Sequence, residues 1–507
     1  MGREAIQLDG RSLTLEVYGA SVLGRVQVEL SPAARERIET GRRLIDEVVA
    51  GGTPTYGINT GFGDLASVNI PADKVKSLQR RLLLSHAAGV GPPLRAAVVR
   101  GMLLLRANTL ARGYSGVRPP VVERLLDLLR LDLLPVIPSR GSVGASGDLA
   151  PLAHLALPLI GRGEVLASGE RLPAAEALSR AGLEPLELEA KEGLALINGT
   201  QAMTALLALS AIEAGRLVRV ADLVGALSTD ALRGTDTAFD RRLHDLRAHP
   251  GQRASAANLW SLLAGSQIRE SHREGDLRIQ DPYSLRCMPQ VHGAVRDVLA
   301  DVVRKLEIEM NSVTDNPLVC TEERQVLSGG NFHGAPMAFA ADFLGIALTD
   351  LGSISERRIE KLTNASFSGL PPFLVEHAGL DSGFMIAQVT AAALTSENKV
   401  LAHPASVDSI PTSADREDHV SMGMGAALKL GRIVKNVRVI LAIELLAAAQ
   451  GIDLLRPLGT SEPLAALHAD LRRRVPMWGE DREMAPDLAA ASAFLEDAID
   501  THLTGLE

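Results

Sequence analysis

Apolar positions recur with a helical period over long stretches of the second half of the chain: 200–227, 254–266, 288–311, 336–362, 384–400 and 422–450. Several of these are about twice the mean helix length. Helices this long form extended bundles, and their apolar faces commonly continue into partner subunits. The first 70 residues are more mixed. Leu13–Val17 and Val26–Val28 read as short β-like runs, and Ser31 followed by Pro32 opens a helix reaching about Ala50. Further helices are predicted over Val75–Ala88, Leu94–Arg112, Val121–Leu134 and Leu149–Ile160, with a small β insertion near 161–175. The predicted fold is mainly α. It has a mixed N-terminal domain over 1–199 and a long-helix bundle with a C-terminal helical region over 200–507, in an oligomer.

Composition narrows the function. A chain of 507 residues has room for two or more domains and a large core. A net charge of -9 with 3% aromatic residues speaks against a nucleic-acid partner. Arg472-Arg473-Arg474 reads as a solvated helix face. Cys287 and Cys320 cannot form a disulfide framework. Met1-Gly2-Arg3-Glu4 lacks an apolar leader, and the apolar stretch 436–449 carries Arg438 and Glu444, so the expectation is a cytoplasmic protein without a membrane span. None of the twelve histidines falls in a metal-ligand spacing, and no metal is expected.

The chemistry concentrates in Gly141-Ser142-Val143-Gly144-Ala145-Ser146-Gly147-Asp148, which runs straight into an apolar helical pattern. On a tight bend the amide nitrogen of Gly147 can approach the carbonyl carbon of Ala145, because Gly147 has no Cβ in the way. Loss of water from the ring and from Ser146 then yields 4-methylidene-imidazole-5-one, an electrophile that no ordinary side chain supplies. The same residues also suit a plain helix start, with Ser146 or Asp148 as cap and Pro151 in the first turn. A second copy, Ala167-Ser168-Gly169, lies between two short apolar arms and reads as a hairpin turn.

Other loops are rich in specific polar groups. Tyr56 lies in Tyr56-Gly57-Ile58-Asn59-Thr60-Gly61-Phe62-Gly63, a Gly-punctuated loop. Ser85-His86 ends a helix, where a histidine also serves as a cap. Asn198 precedes a long helix. Gln280-Asp281-Pro282-Tyr283-Ser284-Leu285-Arg286 packs four potential binding groups together, and the planar fork of Arg286 suits a carboxylate. Phe332 sits in Ser328-Gly329-Gly330-Asn331-Phe332-His333-Gly334, which lacks the lysine of a phosphate-cradling loop, so no nucleotide is expected. Glu417 falls in the long interhelical loop 403–423.

Six of these motifs, the Tyr56 loop, the Ala145-Ser146-Gly147 segment, the Asn198 motif, the Gln280–Arg286 segment, the Phe332 loop and the Glu417 loop, in their order along the chain resemble the aromatic amino acid ammonia-lyase family across about residues 10 to 450. The resemblance implies that Ala145, Ser146 and Gly147 form the methylidene-imidazolone, supported by Asp148, Asn198 and Phe332. It implies Tyr56 as the base, Tyr283 as a proton-transfer partner and Glu417 as a further catalytic group. Asn198 and Arg286 would hold the substrate carboxylate, and Gln280 would add a hydrogen bond. The implied fold is the ammonia-lyase, fumarase-aspartase-like helical type, a homotetramer with active sites shared among subunits. His86 and Glu417 offer polar partners for an imidazole ring, which points to L-histidine as substrate and trans-urocanate as product. The alternative is a tyrosine or phenylalanine ammonia-lyase, or an aminomutase. Two departures bear on ring recognition: Asp415-Arg416 stands where the histidine-specific members usually show Asn-Gln, and Asp381 stands where Asn is usual. Arg416 adjoins Glu417 and is expected to be able to pair with it.

Overall fold

The computed structural model describes residues 5–24, 27–61, 63–65, 67–276 and 278–507, and it is mainly helical. The six long stretches appear as helices Gln201–Ala231, Pro250–Leu263, Met288–Met310, Ala335–Thr363, Met385–Leu401 and Gly423–Leu454. Helix Pro32–Gly51 starts as its sequence dictates. Ser31 is extended, and its side chain accepts the Ala34 N–H at 3.2 Å. The β insertion is the hairpin Glu164–Ala167 with Glu170–Pro173.

One early element differs. Leu13–Val17 is not a strand, because helix Leu15–Gly24 occupies that region and buries Tyr18, Ser21 and Val22. That spacing of three and four residues is a helical face, and it outweighs the β-like alternation before it. Strand Val28–Leu30 pairs in parallel with Ile6–Leu8. Val26, expected in the same strand, lies outside the described residues.

The chain forms two compact units, each assembled from three segments. Unit 1 comprises 1–209, 303–342 and 404–428. Its core helix, Ala96–Ala111, is buried along almost its whole length. Arg106, fully enclosed, donates through Nη1 to the Asn198 carbonyl at 2.8 Å and to Gln201 Oε1 at 2.9 Å. Lys191 and Asp315 make an enclosed ion pair at 2.9 Å. Unit 2 comprises 210–302, 343–403 and 429–507, and packs long helical segments around Leu, Val, Ile and Ala side chains. In this unit Asp381 accepts the Asp481 N–H at 2.9 Å, so its carboxylate closes a loop. Helix Ala335–Thr363 is long and apolar enough to cross a membrane by composition, but 67% of its most apolar window is buried inside the protein.

Candidate active site

The segment before helix Leu149–Ala156 is held from two sides within unit 1. Met422 N–H donates to the Val143 carbonyl at 2.9 Å, and Ser421 Oγ donates to the Gly144 carbonyl at 3.2 Å. On the other side Gly147 bridges Gly199, and Asp148 N–H donates to the Gly199 carbonyl at 2.7 Å. Gly147 has φ +71, and a Cβ there would lie 2.0 Å from the Gly199 oxygen. Only glycine fits. Gly147 thus holds a left-handed backbone packed directly against Gly199, and the residues fit a self-made methylidene-imidazolone.

Asp148 lies beneath this bend and is fully buried. Its carboxylate accepts Ser142 Oγ–H at 3.0 Å and Met203 N–H at 2.8 Å. Burial outweighs these donors and pushes its pKa up to about 6. A carboxyl poised there both takes and gives protons near neutral pH.

Above the bend opens a cavity of about 560 Å³, lined by Tyr56, His86, Ala145, Ser146, Asn198, Phe332 and Glu417 among others. Glu417 faces Ser146, whose Oγ donates to Oε1 at 3.2 Å, while Thr412 and Ser413 donate to Oε2 at 2.6 and 2.9 Å. Ser413, Ala414 and Asp415 carry φ of 50, 52 and 64°. Three consecutive left-handed non-glycine residues are a strained turn, and strain of this kind collects where a side chain must be aimed. Arg416 does not pair with Glu417. Its Nε is 3.2 Å from Asp64 Oδ1, across the Tyr56 loop, so Glu417 keeps both oxygens for hydroxyl donors.

His86 ends helix Val75–His86, with Nδ1 3.0 Å from Ser85 Oγ. Burial holds its imidazole below the usual pKa, with Glu417 pulling the other way. Burial raises the Tyr56 phenol above its ordinary value and Glu417 adds to this, while the Gly63 N–H offsets part. Among the described residues no cation is one of the groups that shift this phenol, and Arg416, which also lines the cavity, is paired with Asp64. Asn198 Nδ2 donates to the Asn316 carbonyl at 2.9 Å, and its buried Oδ1 has no partner.

Gln280, Tyr283 and Arg286 do not line this cavity. They belong to unit 2, where Gln280 and Arg286 line a depression with Arg269, Arg273 and Asp281. Tyr283 is 70% exposed, with the Arg286 guanidinium 4.5 Å from its ring centroid. The cavity also holds residues that the sequence reading passed over: Asp64, Asn316, His333 and His419. The His333 and His419 rings are parallel, 5.9 Å apart. Both adjoin residues already singled out, and that adjacency was the available signal. Asn316 lies in no motif.

A family of carbon–nitrogen chemistry accounts for a helical fold carrying this site. Residues 13–473 match the aromatic amino acid lyase family, and the chain belongs to it. Relatives named histidine ammonia-lyase include those of Stigmatella aurantiaca, 55% identical over 98% of this chain and 97% of the relative, and Deinococcus radiodurans, 56% identical over 94% and 91%. Among solved structures, histidine ammonia-lyase from Trypanosoma cruzi superposes with a TM-score of 0.91 at 44% identity, covering 99% of this chain and 95% of that one. Tyrosine aminomutase from Streptomyces globisporus superposes at 0.94 with 40% identity, covering 99% and 100%.

Proposed function

We propose that this protein eliminates ammonia from L-histidine to give trans-urocanate, the opening step of histidine breakdown. The observation that carries the reading is one cavity holding Ser146, Tyr56, His86 and Glu417 together. Relatives 52–56% identical over nearly the whole chain, named histidine ammonia-lyase, support the choice of histidine over an aromatic ring without nitrogen.

The reaction meets two obstacles: a β-hydrogen of low acidity and an amine that leaves poorly. When formed from Ala145-Ser146-Gly147, the methylidene-imidazolone supplies an electrophile that eases one of them. Asp148, with its pKa near 6, is placed to move protons during ring closure. His86 stays neutral near pH 7 and, with Nδ1 engaged by Ser85, offers Nε2 to the imidazole ring, while Glu417 accepts a ring N–H or the substrate ammonium. A phenyl ring leaves these groups unpaired and is rejected for that reason. Asn198 retains a free carboxamide oxygen for the ammonium and one N–H for the carboxylate. Tyr56 takes the β-proton once cations enter the cavity. The substrate ammonium is one, and Arg286 of a neighbouring copy is the other.

That second cation requires assembly. Gln280, Tyr283 and Arg286, which do not line the cavity, complete the site from other copies in a homotetramer, with Arg286 gripping the carboxylate. The protein works as a cytoplasmic enzyme on a small-molecule substrate.

The resemblance to tyrosine aminomutase keeps one rival in view: a tyrosine- or phenylalanine-directed lyase or aminomutase. Incubation with each amino acid separates them: a lyase releases an unsaturated acid read by its ultraviolet absorbance, and an aminomutase a β-amino acid read by chromatography. Urocanate is expected from histidine. Product from tyrosine with none from histidine would overturn the substrate assignment. His86→Leu is expected to raise KM for histidine by about 10- to 100-fold, the range for an unpaired buried polar contact.

A further inference from the structure

The helices of unit 2 enclose an ionic cluster that no step above uses. Arg358, in helix Ala335–Thr363, is fully buried, and its Nε and Nη2 donate to Glu444 Oε1 and Oε2 at 2.5 and 2.9 Å. Ser228 and Ser355 add hydroxyl donors to the same carboxylate at 2.7 and 2.5 Å. The remaining nitrogen, Nη1, donates to the main-chain carbonyl of Ser284 at 3.3 Å and stands 3.5 Å from His292 Nε2. His292 reaches Asp222 through Nδ1 at 2.7 Å, and Asp222 also accepts from Arg296 and Asn258 at 2.6 and 2.9 Å. Burial keeps His292 below its usual pKa. A neutral ring that donates through Nδ1 to Asp222 leaves Nε2 as an acceptor facing Arg358.

A buried ion pair adds little stability over well-packed apolar side chains. A bundle needing only stability has no use for this one. What the guanidinium provides, and leucine cannot, is a rigid third arm. That arm ends on Ser284, inside the short helix Tyr283–Arg286. Of the four residues of this helix, Ser284 and Leu285 are buried, Tyr283 is exposed, and Arg286 is half-buried with its Nε donating to the Asp281 carbonyl at 2.9 Å. One turn of helix has too few internal hydrogen bonds to hold its own orientation. Its inward carbonyl needs an anchor.

We propose that Arg358 is a positioning residue: by gripping the Ser284 carbonyl it fixes the direction in which Tyr283 and Arg286 project. The idea rests on the reading of those two side chains as substrate-binding groups. Glu444 aims the guanidinium, and the neutral His292 receives the same Nη1 without competing as a donor.

The test uses full-length protein and compares Arg358→Lys with Ser355→Ala. A lysine keeps the charge beside Glu444, but a single ammonium cannot span the carboxylate and the carbonyl together. Arg358→Lys is expected to raise KM for histidine about tenfold with a smaller fall in kcat, as loss of an oriented binding group does. Ser355→Ala removes a buried hydrogen bond to Glu444 without touching the turn, so it should lower Tm and leave KM unchanged. Equal KM in both variants, or KM rising in step with the loss of Tm, overturns the proposal. Should the lysine variant be insoluble, Arg358→Gln reaches only one of the two acceptors and gives the same readout. Arg286→Ala keeps the two ideas apart: an unchanged KM there defeats the substrate-binding reading of the turn, while a raised KM leaves Arg358 as the question.

Discussion

The tripeptide Ala-Ser-Gly occurs twice in this chain, and the two copies have opposite fates. Ala167-Ser168-Gly169 closes a two-residue hairpin, with Ala167 opposite Glu170 and φ of 50 and 89° at Ser168 and Gly169. A Cβ on Gly169 would meet nothing within 4 Å. Ala145-Ser146-Gly147 has the same left-handed glycine, but the Gly199 carbonyl occupies the space behind it and a buried carboxyl lies beneath. Composition therefore carries none of the difference. Confinement does: one copy is free to relax, and the other is squeezed with an acid–base group at hand.

Substitutions at matched positions test this contrast. Ser146→Ala is expected to cost roughly 10³-fold or more in activity, the scale for removing a covalent catalytic group, while the protein stays folded. Near-ultraviolet absorbance should fall with it. Ordinary turnover by that variant would break the comparison outright. Gly147→Ala comes next, since its Cβ cannot avoid the Gly199 oxygen. Activity should drop at least about 100-fold, as expected when reacting groups are displaced by an ångström.

Asp148→Asn separates stability from chemistry. Burial lifts the folded pKa to about 6 from 3.8, so the folded chain holds this proton more tightly than the unfolded one. The resulting cost of the charged form is absent below pH ~4, grows as pH rises through 6 and reaches about 3 kcal/mol above it. Denaturant unfolding should accordingly show the variant gaining stability at pH 8 and nothing at pH 4, while ring formation slows. At the hairpin, Gly169→Ala should cost about 1 kcal/mol for its positive φ, with activity and absorbance unchanged. Ser168→Ala should stay within about 0.5 kcal/mol. Any loss of turnover from either would blur the distinction.

Much of the helical architecture was legible because long apolar stripes have few alternatives, and the hairpin because Ser-Gly between apolar arms has one economical turn. Leu13–Val17 misled, since five residues of alternation look alike in a strand and at a helix start until Tyr18, Ser21 and Val22 are read with them. Tyr56, His86, Ser146, Asn198, Phe332 and Glu417 do share one cavity. Gln280, Tyr283 and Arg286 do not, because motif order says nothing about which surface a motif faces. The Arg416–Asp64 pair was hidden for a related reason: sequence neighbours such as Arg416 and Glu417 point apart when a left-handed turn precedes them.

The Gly147–Gly199 bridge also orders events in time. The segment that does the squeezing is itself fastened by residues from distant parts of the polypeptide: Arg106 donates to the Asn198 carbonyl and to Gln201, and Gln201 donates to Thr314. A nascent chain still emerging from the ribosome has none of that vice assembled. On the proposed chemistry, ring closure would then wait for tertiary structure, and a half-built molecule would carry no reactive group with which to damage itself or its neighbours.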